Sequence, residues 1–166
     1  MSLSSQELLH ISEEKSAYDF VIEVTDRYLA YLGGMLTADN MNRLNTYQHT
    51  LLAYRYMLEE VMEGGFIQLI QNGYAGYVLD GPFPLVLKKE WGMRDLSKLI
   101  FDVRREYHLH ADEFYSEMSD AEFMALYEKL DTLNEYGDTF LDDFQEQTTP
   151  HVRDIVLERP SLFELE

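Results

Sequence analysis

The chain has 166 residues and a formal net charge of −18 at pH 7. Apolar residues make up 46% of it, with twelve tyrosines, nine phenylalanines and one tryptophan among them, so there is material for a real core and wholesale disorder is excluded. The charge argues against direct contact with DNA, RNA or an anionic membrane, because one polyanion repels another, and favours a basic partner attracted over a distance and sensitive to salt.

Without cysteine there is neither disulfide nor thiolate chemistry. The opening Met-Ser-Leu-Ser-Ser-Gln-Glu lacks the basic flank and apolar run of a secretion signal. No apolar run approaches the roughly 20 residues of a membrane helix. A cytoplasmic single domain over residues 1–166 is expected, with a first helix inside 1–15 that is loosely packed.

Ser4 to Glu7 reads as a capping box opening that first helix. From Ser16 to Leu32, Tyr18, Val21, Ile22, Thr25, Tyr28, Leu29 and Leu32 recur at three- and four-residue spacing, the signature of a helix with one buried face. Gly33-Gly34 ends it. Thr37 is positioned to cap the next helix, whose stripe runs through Leu44, Tyr47, Leu51, Tyr54, Leu58 and Val61 to a close at Gly64-Gly65. Glycines and prolines punctuate Phe66 to Pro84, which predicts short helical pieces with sharp corners. Helices follow over Leu85–Trp91 and about Met93–His108. Ser119-Asp120-Ala121-Glu122 is a second capping box, and the apolar phase after it runs from Phe123 through Phe144, with Gly137 as the expected point of interruption. Thr149-Pro150 predicts the start of a last helix that stops before Pro160. No segment alternates as a strand does, so the fold class is all-α, a bundle of about seven to nine helices.

One segment is far more acidic than the rest. Asp112 to Glu146 holds twelve carboxylates and one cation, Lys129. Like charges three and four apart on a helix repel by roughly 0.2–0.5 kcal/mol per pair, so selection for stability alone would intersperse lysine and arginine. On an ideal helix, Glu128, Asp131, Glu135, Asp138, Asp142 and Glu146 fall within about an 80° sector, opposite the apolar residues, one carboxylate per turn of about 5.4 Å. DNA presents a phosphate about every 3.4 Å along each strand. The spacings do not match one to one, but both are lines of negative charge, and a surface built to neutralise phosphates could accept such a row. The candidate contact residues are Asp112, Glu113, Glu117, Glu128, Asp131, Glu135, Asp138, Asp142, Asp143 and Glu146.

The run Val61-Met-Glu-Gly-Gly-Phe-Ile-Gln-Leu-Ile-Gln-Asn72 resembles the N-G-G-F-x-Q-x-x-x-N signature of the small acidic family that contains DNA mimic protein nineteen. Trp91-Gly92, Val103, Tyr107, the Leu126 to Asp131 run and the closing Val152 to Phe163 follow in the family's order, so the likeness covers roughly Leu51 to Phe163. Glu63 stands where the family has Asn. The signature reads as structural: Gly64 and Gly65 make a corner, Phe66 fills the core, and Gln68 and Asn72 bond nearby backbone. The resemblance implies an all-helical fold, a homodimer and no known catalytic residues and, for one member of the family, binding to a DNA-binding transcription factor in place of DNA.

Other constellations fail on geometry. His108-Leu-His110-Ala-Asp112 echoes a metal motif, but on a helix the two histidines point about 200° apart; as helix-end residues they complement the dipole. A calcium loop with Gly137 at its sixth place would put Tyr136 at a ligand place. Gly73-Tyr-Ala-Gly76 lacks the phosphate-cradle pattern, and Ser97 and Ser116 have no nucleophile context. No metal, cofactor or catalytic residue is expected. Lys88, Lys89, Arg94, Lys98, Arg104 and Arg105 make the middle third the least acidic part, either a mixed face pairing with local acids or a self-association surface. The leading reading is a non-enzymatic binder of a basic, DNA-binding protein. An inhibitor or immunity protein against a basic toxin or nuclease, an enzyme of unrecognised type, and a helical module whose acidity serves solubility stay open.

Overall fold

The computed structural model describes residues 2–114 and 117–166, and its regular elements are helical. Eight α-helices exceed a single turn: α1 (Ser5–Glu14), α2 (Ala17–Tyr31), α3 (Thr46–Gln71), α5 (Phe83–Lys89), α6 (Arg94–Leu109), α8 (Asp120–Lys129), α9 (Asp131–Thr139) and α10 (Gln145–Glu158). Single turns α4 (Ala75–Val78) and α7 (Ala111–Phe114) complete the α-helical set among the described residues. Contacts divide the chain into a first unit, Met1–Arg55 with Glu146–Glu166, and a second unit, Tyr56–Gln145.

In the first unit the expected capping box opens α1: Ser4 Oγ accepts from the Glu7 N–H at 3.2 Å, and Glu7 Oε2 accepts from the Ser4 N–H at 2.9 Å. Helix α1 buries Leu8 and Ile11, and Leu3 just ahead of it is fully enclosed. Leu3 and Leu165 form an isolated antiparallel bridge, with N–H···O distances of 2.8 and 2.9 Å, and the Ser5 N–H and hydroxyl both donate to Glu164. Helix α2 buries Phe20, Val21, Val24, Thr25 and Tyr28. Its end is the glycine cap expected: Gly33 and Gly34 take φ of 95° and 114°, and the Gly34 N–H donates to the Leu29 carbonyl.

Thr37 does not cap the next helix. Its Oγ1 accepts from the Asn40 N–H at 3.3 Å, closing a local turn before a 3-10 segment at Met41–Arg43. The cap of α3 is Asn45, whose Oδ1 accepts from the Gln48 N–H while Gln48 Oε1 accepts from the Asn45 N–H, both at 2.8 Å. Two tyrosines close this core. Tyr28 Oη donates to the Phe163 carbonyl at 2.7 Å, and Tyr54 Oη bonds Thr148 and Thr149 Oγ1 at 2.8 and 2.7 Å. Burial raises both phenols, that of Tyr54 to about 12. Thr149 is thus engaged by a core tyrosine, and Thr149-Pro150 is not a helix start. Pro150 lies inside α10, where its missing N–H leaves the carbonyl four residues earlier without the usual donor.

The second unit turns on Gly64 and Gly65, which kink α3 with φ/ψ of −156°/16° and 76°/−175°. The second of these conformations is accessible essentially to glycine alone. Phe66, Ile67, Leu69 and Ile70 beyond the kink are buried, with Phe66 fully enclosed in the core as expected. Helix α6 buries Leu96, Leu99, Ile100, Val103 and Tyr107 on one face, and Ser97 Oγ donates to the Pro84 carbonyl of α5 at 2.6 Å. Trp91, between those helices, is 3% exposed. A Ser119–Glu122 capping box opens α8.

The long helix predicted from Ser119 to Glu146 is not continuous. It breaks at Leu130 (φ −98°, ψ 52°), and residues Phe140–Phe144 are π-helical. Gly137, the expected interruption, sits inside α9. A Cβ there would lie 3.6 Å from Gly65 Cα and 3.7 Å from Val61 Cγ1, so the residue permits close backbone approach and breaks nothing.

Candidate functional site

Of the candidate contact residues, Asp112, Glu117, Glu128, Asp131, Glu135, Asp138, Asp142 and Asp143 are exposed in the second unit. Glu113 is half-buried, and Glu146 is exposed on α10 in the first unit. Local helix chemistry orders part of the set. Asp131, Glu135 and Asp138 follow i, i+4, i+7 spacing on α9 and share one face. Glu128 precedes the Leu130 break, and Asp142 and Asp143 lie on the π-helical stretch. The single 80° row therefore does not carry over: the acids occupy three segments of different phase, because a non-helical ψ at Leu130 and a wider turn after Thr139 each reset the rotation.

The lone cation of this segment is not free to neutralise the row. Lys129 Nζ lies 2.6 Å from Glu113 Oε1, and His110 Nδ1 lies 3.6 Å from Glu113 Oε2. The hydrogen bond from Lys129 is the main reason the Glu113 carboxyl is held below the ordinary range. Among the described residues, no lysine, arginine or histidine lies within ion-pair distance of Glu128, Asp131, Glu135, Asp138 or Asp142. Among the described residues, no direct ion pair offsets their repulsion.

The basic middle third is partly spent on local acids. Lys98 and Arg105 lie 3.0 and 2.9 Å from the Asp102 oxygens, and Arg104 lies 3.0 Å from Asp80. Burial raises the Asp102 carboxyl, and the two cations outweigh it, leaving the group below its usual value. His108 Nε2 lies 2.7 Å from Asp80 Oδ1, while His110 caps the C-terminal end of α6. No cluster of His, Asp and Glu among the described residues is arranged to hold a metal ion. Ser97 is buried and bonded to backbone, and Ser116 lies outside the described residues. No described helix is long and apolar enough to cross a membrane.

The signature run has a different internal logic from the one expected. Gln68 Nε2 and Asn72 Nδ2 do not bond backbone. Both donate to Glu60 Oε2, at 2.7 and 3.0 Å. A Cβ at Gly64 would fall on the Gln68 side chain, so the glycine lets that side chain fold across the kink to reach the carboxylate on the preceding turn. Glu60 was not legible as a participant, since nothing local marks which acid a downstream amide will meet.

Fold and surface together define an all-helical acidic protein with exposed carboxylates on α8, α9 and the π-helical stretch. The DMP19-like protein family profile matches residues 42–158, and the chain belongs to that family. It is similar to the DNA mimic protein DMP19 of Neisseria meningitidis serogroup B (strain ATCC BAA-335 / MC58), with 33% identity over 72 residues. That stretch is 43% of this chain and 43% of the relative, so the match spans less than half the length of the curated protein.

Proposed function

We propose that the protein is a non-enzymatic binder that occupies the nucleic-acid site of a basic, DNA-binding protein, with Glu128, Asp131, Glu135, Asp138 and Asp142 as the centre of its contact surface. The observation that carries this reading is the set of exposed carboxylates on α8, α9 and the π-helical stretch with no cation among the described residues within ion-pair distance. A stretch that cost stability through self-repulsion and returned nothing would be expected to acquire lysines. The relative's name supplies the class of partner. Charge would steer the encounter, and screening would weaken it.

The test pairs capture with competition. Wild type and a variant carrying E128Q, D131N, E135Q, D138N and D142N are used as bait at low and high salt, and each captured protein is tested for DNA binding. The expected result is a DNA-binding protein held by wild type at low salt, released at high salt and at least tenfold weaker on the variant, each exposed charge contributing roughly 0.2–1 kcal/mol. Wild type should also displace DNA from it. Equal capture by the neutralised variant, or no competition with DNA, would remove the mimic reading.

A further inference from the structure

We infer that the second unit holds an anchor cleft for a guanidinium side chain, so that the partner's contact includes an arginine inserted at one point of the acidic surface; this rests on the proposed function. The cleft has a volume of about 300 Å³ and lies between the Gly64–Gly65 kink, the α8–α9 junction and the π-helical stretch. Val61, Met62 and Leu141 give it apolar wall, and Glu63 and Asp138 put carboxylates on it. Both acids are exposed, and no cation among the described residues pairs with either.

Two side-chain oxygens lie beside Gly65 among the residues of the cleft. A Cβ on Gly65 would stand 3.3 Å from Tyr127 Oη and 3.8 Å from Asn134 Oδ1, so the glycine leaves open the space those two oxygens border. Tyr127 Oη donates its proton to the Gly64 carbonyl at 3.1 Å, which leaves its lone pairs for a donor. Asn134 Nδ2 donates to the Tyr127 carbonyl at 2.7 Å. That bond fixes which end of the amide is which, because the carbonyl can only accept. Asn134 Oδ1 is then left enclosed without a hydrogen-bond donor, and an orphaned buried acceptor of this kind calls for one.

The side-chain oxygens on this lining can each accept a hydrogen bond. Two carboxylates, a phenol oxygen and an amide oxygen above an aliphatic wall match a group with several N–H donors, a positive charge and an apolar stem. Arginine has that form: five donors in a planar fork on a three-carbon chain, more weakly hydrated than an ammonium. Lysine would satisfy the charge but fewer of the acceptors.

The probe is acetyl-arginine-N-methylamide, with the lysine analogue as control, titrated into the full chain and followed by amide NMR. The expected result is a saturable shift confined to Gly65, Gly137, Asp138 and the Asn134 side-chain amide. The arginine probe should bind several-fold tighter than the lysine probe, and Glu63→Gln should weaken it by up to about fivefold. Glu13→Gln, an exposed acid on α1 outside the cleft and outside the proposed contact surface, should leave the dissociation constant unchanged within twofold. Absence of a localised shift, equal binding of the two probes, or equal weakening by Glu63→Gln and Glu13→Gln would each overturn the cleft. No partner protein enters this titration, so its failure leaves the capture experiment untouched, and failed capture leaves the titration readable.

Discussion

Gly65 shows how much one missing Cβ can hold in place. Its φ of 76° with ψ near 180° suits glycine alone, its Cα receives Gly137 of α9, and its open side borders Tyr127 and Asn134. Gly65→Ala forces an L-residue into that backbone conformation and puts a methyl at 3.3 Å from Tyr127 Oη. The expected loss is about 1–3 kcal/mol of unfolding free energy, read from the urea midpoint with an unchanged denaturant slope. Gly137→Ala meets ordinary contacts at 3.6–3.8 Å and a helical backbone; its effect should be much smaller. Similar stability losses for the two variants would show that space, and not backbone conformation, governs position 65.

Helix α9 carries a trade-off between its own stability and its charge. Glu135 stands four residues after Asp131 and three before Asp138, so it contributes two like-charge pairs on one face. Glu135→Gln removes both at little cost in helix propensity. It should raise the unfolding free energy by about 0.5 kcal/mol while lowering partner capture. A variant that gains stability and keeps full capture would show that acidity at this position serves folding poorly and binding not at all. Which acids face solvent was legible in the residues, because helical spacing of Leu126, Leu130 and Leu133 dictates the opposite side. Their alignment was not. The break at Leu130 carries neither glycine nor proline; Asn134, seven residues after Tyr127, satisfies the Tyr127 carbonyl at the end of α8. The π-helical stretch has no compositional mark. Gly137 has a mark that points the wrong way, since a glycine needed for tertiary approach looks the same in sequence as one that ends a helix. Thr37 and Pro150 misled for a similar reason: each is a valid local start signal, and each was outcompeted, by the Asn45–Gln48 box and by the helical backbone that already runs through Thr149.

At the scale of the molecule, a formal charge of −18 makes the folded state and the proposed complex respond to ions in opposite ways. Compaction concentrates like charge, so self-repulsion opposes folding. Raising salt from about 0.01 M to about 0.1 M shortens the screening length from about 30 Å to about 10 Å. The melting temperature should rise over that range while affinity for a basic partner falls. Calorimetry and capture on the same preparations test the pair of signs. A melting temperature that falls with added salt would show that attractive pairs such as Lys129–Glu113 dominate the balance. Affinity that is insensitive to salt would mean that apolar contact, through residues such as the exposed Met62 or Met124, holds the complex instead.

The position of Trp91 also decides what optical measurements can see. It is the one indole in the chain and is enclosed within Tyr56–Gln145. Emission excited selectively from it reports the surroundings of the indole in the unit that carries the Gly64–Gly65 kink. Substitutions at Gly65 or Glu135 thus come with a built-in fluorophore in the unit they alter.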